Sequence, residues 1–316
     1  MTRLVLANVD YRFHMTSEGH ELQCGLEHAG WTLAGQGFGD GSRDTPYLLE
    51  RWKPDVVLVQ DKRDWDPAMG AFRRDLEFFR LGELAKCSDI FRLAVIKDAG
   101  SVVDYHRGFA EQIQADALVT YYHDWSVVAA APWMQAYPLI RTYHSVDADL
   151  IGRLNLAERR SRAVVSGALN AKVYPLRESV VRHADELGCA VIRHPGYANS
   201  GHRTPEYLRT LAGYRVSVAT ASKYGFALRK VIEAVAVGAT PITDLPVEDR
   251  LPVIDDALFR VPANATLADI RAAIDIADSE WDLEERLEFA RRACDFYDYR
   301  AIGRRLDTLI GRAHAG

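Results

Sequence analysis

Apolar runs of four to six residues alternate along this chain with segments in which apolar residues recur at helical spacing, and that alternation restricts the fold more than any other feature of the sequence. Short runs with no polar face suit strands buried on both sides, as in a parallel sheet covered by helices. In the first half the strand candidates are Leu4–Val9, Thr32–Gly35, Asp55–Gln60, Leu93–Lys97, Ala117–Tyr121 and Leu139–Tyr143. Between them fall helix candidates at Ser17–Ala29, Pro46–Trp52, Met69–Ala85, Val102–Gln114 and Ser126–Gln135. A strand with its following helix takes roughly 20 to 35 residues, so residues 1–155 make one Rossmann-like domain.

An Arg-rich stretch, Leu156–Arg162, reads as a linker, and after it the pattern restarts. Strands are expected at Ala163–Ser166, Ala190–Arg193, Arg215–Ala219, Thr240–Thr243 and Leu258–Val261. Helices fit at Leu176–Leu187, Pro205–Ala212, Ala227–Val237, Leu267–Ile276 and Leu283–Phe296. A chain of 316 residues exceeds the size at which a single core stops growing, so a second Rossmann-like domain is expected over 163–296. Residues 297–316 follow as a separate C-terminal segment. The fold class is therefore α/β, with two Rossmann-like domains facing across a cleft and the ligand beyond the carboxyl ends of the strands.

Hydrophobic residues make up 48% of the chain and charged residues 26%, which excludes disorder as the main state. The opening apolar run stops at Asp10, too short for a signal segment, and no later run approaches the roughly 18 apolar residues a bilayer needs. No membrane span is expected, and the expected location is the cytoplasm. Cys24, Cys87, Cys189 and Cys294 lie too far apart for a disulfide framework or a paired zinc-ligand spacing, so no structural metal is expected. The net charge of -5 gives no general reason for a polyanionic partner. Locally the picture changes: Ile151 to Lys230 holds 14 Lys/Arg against 5 Asp/Glu, whereas Pro241 to Arg300 holds 7 against 15. A solvated stripe accounts for such a basic segment, and so does a site for an anion.

The segment from Ser222 to Thr243 is the most informative. A strand ends at Ala219, a small polar loop holding Gly225 follows, and a helix is expected from about Ala227. Free N–H groups and the positive end of that helix suit a diphosphate. Arg229 and Lys230 fall in the first turn, where cations oppose the helix dipole unless an anion compensates. Glu233 lies further along an otherwise apolar face of Val231, Ile232, Ala234, Val235 and Ala236. A carboxylate there either accepts hydrogen bonds from a ribose diol or pairs with Lys230 at helical spacing.

This stretch resembles the donor-binding signature of the group 1 glycosyltransferases, in which a strand, a small polar loop and a Gly-rich turn lead into a helix ending in Glu-Ala-x-Ala-x-Gly-x-x-Pro-Ile. Glu233, Ala234, Ala236, Gly238, Pro241 and Ile242 stand in that register. Tyr143 to Leu150 resembles the family's Asn-Gly-Val-Asp hinge, with His144 and Ser145 in place of Asn-Gly. Ser166-Gly167, Tyr174 to Arg177 and His194 to Tyr197 are similar to the spore-maturation, CgeB-like branch. Leu267 to Leu309 resembles the family's terminal helices, with Phe296 to Arg300 where the last helix returns to the first domain. The resemblance covers about residues 90 to 312, and residues 1–90 fit at fold level. It implies the GT-B fold, a first domain that binds the acceptor and a second that binds the nucleotide-sugar donor. Retaining members carry a second acid eight positions before the ribose-binding Glu, and Gly225 stands there, so retention and inversion both stay open.

Other signals are weaker. Gly35 to Gly39 resembles a dinucleotide loop, but its third Gly falls one residue early. Asp64-Trp65-Asp66 and Asp147-Ala148-Asp149 match an Asp-x-Asp metal pattern, outside the donor signature. His123 and His144 lie near predicted strand ends in the first domain, where catalytic groups collect. Asp98 directly follows a predicted strand and reads either as a turn residue before Gly100 or as a catalytic acid or base. His20, near the start of the first helix, is either a surface residue or a base for an acceptor hydroxyl.

Together the residues and the resemblance imply a glycosyltransferase that moves a sugar from a nucleoside diphosphate, a UDP-sugar by family frequency, to a hydroxyl on a carbohydrate, natural product, protein or modified DNA base. Ser166, Gly167, Arg177, His194, Tyr197, Lys223, Gly225, Phe226, Ala227, Lys230 and Glu233 are the expected donor-binding residues, and one of Asp98, His20 or His123 the base. No cofactor beyond the nucleotide-sugar co-substrate and no catalytic metal are expected. A nucleotide-sugar epimerase or hydrolase of the same fold, and a non-catalytic sugar-nucleotide or nucleic-acid-binding module, are the rival readings.

Overall fold

The computed structural model describes residues 1–7, 17–35, 38, 44–60, 64–66, 71–73, 80–97, 99–100, 103–156, 161–193 and 204–316. They fall into two units. The first takes Met1–Tyr143 with Ile302–Gly316, and the second is built from the chain between His144 and Ala301, so the division lies ahead of the Arg-rich stretch.

The first unit runs β1 (Arg3–Leu6), α1 (Ser17–His28), β2 (Thr32–Ala34), α2 (Thr45–Trp52), β3 (Val56–Val59), β4 (Asp64–Asp66), β5 (Ala71–Arg73), β6 (Phe91–Ile96), α3 (Val103–Gln112), β7 (Ala117–Thr120), α4 (Asp124–Ala130) and β8 (Leu139–Arg141). Six parallel strands form one sheet in the order β2-β1-β3-β6-β7-β8. Leu4 to Leu6, Val56 to Val59, Leu93 to Ile96 and Ala117 to Val119 are all buried, which is why these strands read as unbroken apolar runs. The six strands expected from the first half are the six of this sheet.

Two helices differ from expectation. Where Met69–Ala85 was expected to be helical, Ala71–Arg73 forms β5 in an antiparallel pair with β4, and Leu81–Lys86 is a 3-10 turn entered from Arg80 at φ 51. Gly70 and Gly82 lie in that run, and each lowers helix propensity by about 1 kcal/mol. The expected helix Ser126–Gln135 stops at Ala130, and Pro132 starts a separate 3-10 turn because it cannot donate to the preceding carbonyls.

The second unit contains α5 (Ala148–Ile151), β9 (Ser161–Gly167), α6 (Pro175–Arg182), α7 (Ala184–Leu187), β10 (Cys189–Arg193), α8 (Thr204–Leu211), β11 (Tyr214–Val218), α9 (Arg229–Ala236), β12 (Thr240–Thr243), β13 (Phe259–Arg260), α10 (Leu267–Ser279) and α11 (Leu283–Tyr297). Its five parallel strands are ordered β10-β9-β11-β12-β13. Val165, Val216, Val218 and Ile242 of the sheet pack with Val180, Leu187, Ile270 and Ile274 from the helices. The expected helix Leu176–Leu187 is broken at His183 into α6 and α7.

The last helix, α12 (Tyr299–Ala315), follows α11 after one residue. That residue is a hub. Asp298 accepts from the Arg300 side chain and from Ala148 N–H, while Val146 exchanges backbone bonds with Tyr297 and Tyr299 at 2.9 and 3.0 Å. The segment around Val146 and the segment around Asp298, both singled out by resemblance, are thus neighbours. Further on, Gly303 meets α1: a Cβ there would lie 2.0 Å from the carbonyl oxygen of Gly25, so only glycine permits this approach. Asp307 fixes it, accepting from Trp31 Nε1 at 2.7 Å and pairing with Arg3 at 2.9 Å.

Candidate functional site

In the second sheet β9 has β10 on one side and β11 on the other, so successive connections leave in opposite directions. Ligands of open α/β sheets bind at such a switch point, beyond the carboxyl ends of the strands. Here the gap is spanned by Arg177. Its side chain, buried to 2% exposure, donates to Ala168 O just past β9 at 3.3 Å and to Thr220 O just past β11 at 3.1 Å. The guanidinium stacks on Tyr174, 4.1 Å from the ring centre.

Gly167 ends β9 at φ 122, a conformation that side chains rarely adopt. A Cβ there would stand 2.7 Å from Arg177 Nη1 and 2.8 Å from Lys230 Cε. The two cations therefore converge on one point, and the missing side chain leaves the space they occupy.

From β11 the chain passes through Ala219–Leu228 into α9. Lys223 N–H bonds Val173 O at 2.8 Å, and Gly225, at φ 71, closes a turn on Ser222 O at 2.9 Å. Phe226 and Ala227 are buried in the loop. The helix starts at Arg229, two residues later than expected, because Leu228 is extended at ψ 152; it caps the helix with no side-chain bond. Arg229 and Lys230 are thus the first two helical residues.

Glu233 is buried and pairs with Arg229, whose Nε donates to Oε1 at 2.7 Å. The alternative of a Glu233–Lys230 surface pair is not what forms. Tyr207 of α8 hydrogen-bonds Glu233, its hydroxyl lies 3.2 Å from Ser166 Oγ, and the Lys230 ammonium sits 4.7 Å from its ring centre. Burial opposes ionisation of Glu233, but Arg229, Lys230 and the bonds from Arg229 and Tyr207 outweigh it and hold the carboxyl below its ordinary range. Burial, with Arg177 and Arg229 adding repulsion, lowers Lys230 despite the attraction of Glu233. The Tyr207 phenol is pushed well above 10, chiefly by burial and then by Glu233, so it remains a neutral donor.

One further acid lies close. Asp244, immediately past β12, accepts from Ala221 N–H at 2.7 Å, and burial raises its carboxyl against that bond and the field of Arg177. Three cations, Arg177, Arg229 and Lys230, therefore stand against Glu233 and an acid shifted toward its neutral form. That is a positive site at a strand-end crevice, the electrostatics of an anion-binding site.

Ser166, Gly167, Arg177, Lys230 and Glu233 are brought together, and Gly225, Phe226 and Ala227 form the loop entering α9. Lys223 is exposed, its ammonium over the Tyr224 ring. His194, Tyr197 and Asp98 lie outside the described residues. His20 of α1 sits 3.7 Å from Cys24 Sγ. His123 caps α4, its Nδ1 accepting from Trp125 N–H at 3.4 Å, which leaves Nε2 carrying the proton in that arrangement. His144 is buried. Asp147 caps α5, and Asp149 pairs with Arg300 at 2.8 Å. Asp64 and Asp66 fall on β4. Among the described residues no three His, Cys, Asp or Glu side chains gather as a metal site, and no helix is long and apolar enough to cross a membrane.

Sequence reasoning missed Tyr207 and Asp244. An acid directly after the Thr240–Thr243 strand was a usable signal, since strand carboxyl ends collect functional groups. Tyr207 gave none: it sits on a short amphipathic helix like any half-buried aromatic.

No protein-family model matches the sequence, and no curated protein matches it. Solved structures do match in fold. Anabaena Alr3699/HepE in complex with UDP-glucose superposes with a TM-score of 0.55 at 12% identity, covering 99% of this chain and 100% of that one. The lipopolysaccharide outer core galactosyltransferase WaaB gives 0.55 at 12% identity over 98% of this chain and 99% of its own. The E. coli trehalose-6-phosphate protein bound with UDP-2-fluoro glucose gives 0.51 at 10% identity, covering 99% of each. The fold is the two-unit α/β fold of the GT-B glycosyltransferases.

Proposed function

We propose that this chain is a glycosyltransferase that moves a sugar from a nucleoside diphosphate donor, a UDP-sugar, to an acceptor hydroxyl. The observation that carries the reading is the meeting of Arg177 and Lys230 at Gly167, on the switch point of the second sheet and beside an ionised Glu233. Lys230 contributes donors and charge to the diphosphate, and Arg177, tied to two carbonyls, contributes its field from beneath. Both effects grow as the leaving group gains charge, so they lower the barrier to departure. A carboxylate has about four acceptor positions; Arg229 and Tyr207 use two on Glu233, and two remain for a vicinal diol such as a ribose. The fold shared with HepE, described with UDP and with UDP-glucose, supports uridine diphosphate. Ser166-Gly167 and Tyr174 to Arg177, two of the three segments that carry the likeness to the spore-maturation branch, contribute Ser166, Gly167 and Arg177 to this site, and they support placing the chain there.

The reaction needs a base if it inverts, and His20, His123 and Asp98 remain the candidates. His123 has to give up its cap on α4 to act through Nδ1. Calorimetry with UDP followed by turnover of a panel of UDP-sugars, with and without hydroxyl acceptors, tests the function. Binding of UDP and acceptor-dependent release of UDP with a glycosylated product are expected. Release of free sugar or of an epimer regardless of acceptor would replace transfer by hydrolysis or epimerisation, and binding without turnover would make the chain a binding module.

A further inference from the structure

We infer that Tyr207 is a positioning residue that keeps Lys230 off Glu233 and so holds the ammonium ready for an anionic ligand. Lys230 and Glu233 are three residues apart on α9, the spacing at which opposite charges ordinarily meet. They do not meet here: the carboxylate takes Arg229 at 2.7 Å, while the ammonium lies against the face of the Tyr207 ring. One side chain, from a different helix, holds both ends of this separation. Its hydroxyl has a single hydrogen, given to Glu233, and its oxygen then accepts from Ser166 Oγ at 3.2 Å. Its ring presents a negative face, which attracts an ammonium without using up the ammonium's hydrogen-bond donors. A direct ion pair with Glu233 would occupy those donors and cancel the charge.

Among the described residues, the groups facing Lys230 are Arg177 from α6, Arg229 and Glu233 from α9, the Tyr207 ring from α8 and the end of β9 at Gly167. Only Glu233 among them is acidic, so it is the partner Lys230 would gain if the ring were removed. Burial is the main cause of the lowered affinity of Lys230 for its proton, and the attraction of Glu233, without a direct ion pair, does not offset it against the added repulsion of Arg177 and Arg229.

This inference rests on the donor reading for the identity of the ligand, but its test has a readout that needs no ligand. The pH dependence of Lys230 acetylation, followed on its own peptide by mass spectrometry, reports its titration in the ligand-free chain. Tyr207→Leu, which removes ring and hydroxyl, should raise that titration as Lys230 swings to Glu233, and should weaken UDP binding by about tenfold or more. Tyr207→Phe keeps the ring, so Lys230 should titrate as in the wild type while UDP binding falls only a fewfold through the loss of the bond to Glu233. In a Glu233→Gln background Tyr207→Leu should no longer raise the Lys230 titration, a result that a general loosening of the site would not give.

An unchanged Lys230 titration in folded Tyr207→Leu overturns the inference, as does a shifted titration with unaltered UDP affinity. If Tyr207→Leu fails to fold, a Tyr207→Phe protein whose Lys230 titrates like a pair with Glu233 overturns it as well. If wild-type protein does not bind UDP, the donor reading fails, and the titration of Lys230 in the two variants still decides whether Tyr207 holds the charges apart.

Discussion

The two units share a strand order and differ in what they place at its reversal. In the first, β1 lies between β2 and β3, and the chain past β3 presents Gln60, buried, whose Oε1 accepts from Gln23 Nε2 of α1 at 2.8 Å. In the second, β9 lies between β10 and β11, and the corresponding space holds the Arg177 guanidinium with Lys230 beside it. A neutral amide pair and a cationic pair occupy topologically equivalent places. Topology supplies the crevice, and one or two buried side chains then decide which chemistry it accepts.

The sharpest break of this comparison is to neutralise each side. Arg177→Met removes hydrogen bonds from a charged donor to two carbonyls, each worth about 1.5–3 kcal/mol, and should cost on the order of 3 kcal/mol of stability in chemical denaturation along with most UDP affinity. Gln60→Met removes a neutral bond, worth about 1 kcal/mol, and should leave UDP affinity intact. Equal losses of UDP binding in the two variants would erase the distinction between the units.

Next in size is Glu233→Gln, which keeps shape and removes charge. Losing charge-assisted bonds should weaken UDP by about 1.5–3 kcal/mol, roughly tenfold to a hundredfold or slightly more. The sign of the accompanying pH effect follows from the lowered carboxyl. A group whose folded-state value lies below its unfolded one stabilises above the unfolded value, and that contribution fades as pH falls through the folded value. The stability difference between wild type and Glu233→Gln should therefore be full at neutral pH and shrink below the ordinary carboxylate range. A difference that grew in acid would show that Glu233 is not held ionised.

Gly167→Ala should act more gently. The added methyl meets the ends of two flexible cations, which can shift, although the positive φ adds strain that any side chain would feel. A severalfold rise in the UDP dissociation constant with a folded protein is expected, and unchanged affinity would mean that the convergence of Arg177 and Lys230 is not used.

Much of this is legible in the sequence alone. Buried parallel strands announce themselves as apolar runs, and Leu4–Leu6, Val56–Val59 and Leu93–Ile96 did so because both of their faces are covered. Helical spacing was a poorer guide. It carried one expected helix through Pro132, whose missing N–H was a stop signal in the sequence, and another through Ala71–Arg73, where antiparallel pairing with the nearby strand Asp64–Asp66 overrides helical preference. At the site, Lys230 and Glu233 were visible because they share one local motif. The partners of Arg177 were not, since the carbonyl of Thr220 lies 43 residues away and only the fold brings it near. For the same reason no spacing rule could have put Tyr207 between Lys230 and Glu233.

The smallest effect expected is that of the Asp-x-Asp pair at Asp147 and Asp149, and it bears on how leaving-group charge is neutralised. Two routes exist, a divalent metal held by carboxylates or cations supplied by the protein. In the second unit Asp147 accepts from Leu150 N–H at 3.0 Å as a helix cap, and Asp149 is exposed and paired with Arg300. Both carboxylates have structural partners, and neither is among the groups around Lys230. A metal beside Arg177, Arg229 and Lys230 would also meet repulsion from three cations, so the expectation is that the proposed reaction uses the protein's own charges. Turnover should then survive excess chelator. Asp149→Asn should leave turnover unaltered, because it removes only an exposed ion pair, whereas Asp147→Ala should lower stability by about 1 kcal/mol through loss of the cap and leave turnover alone. Turnover abolished by chelator, restored by magnesium or manganese and lost in Asp149→Asn would transfer the role from Lys230 to a metal and make the acidic pair its ligands.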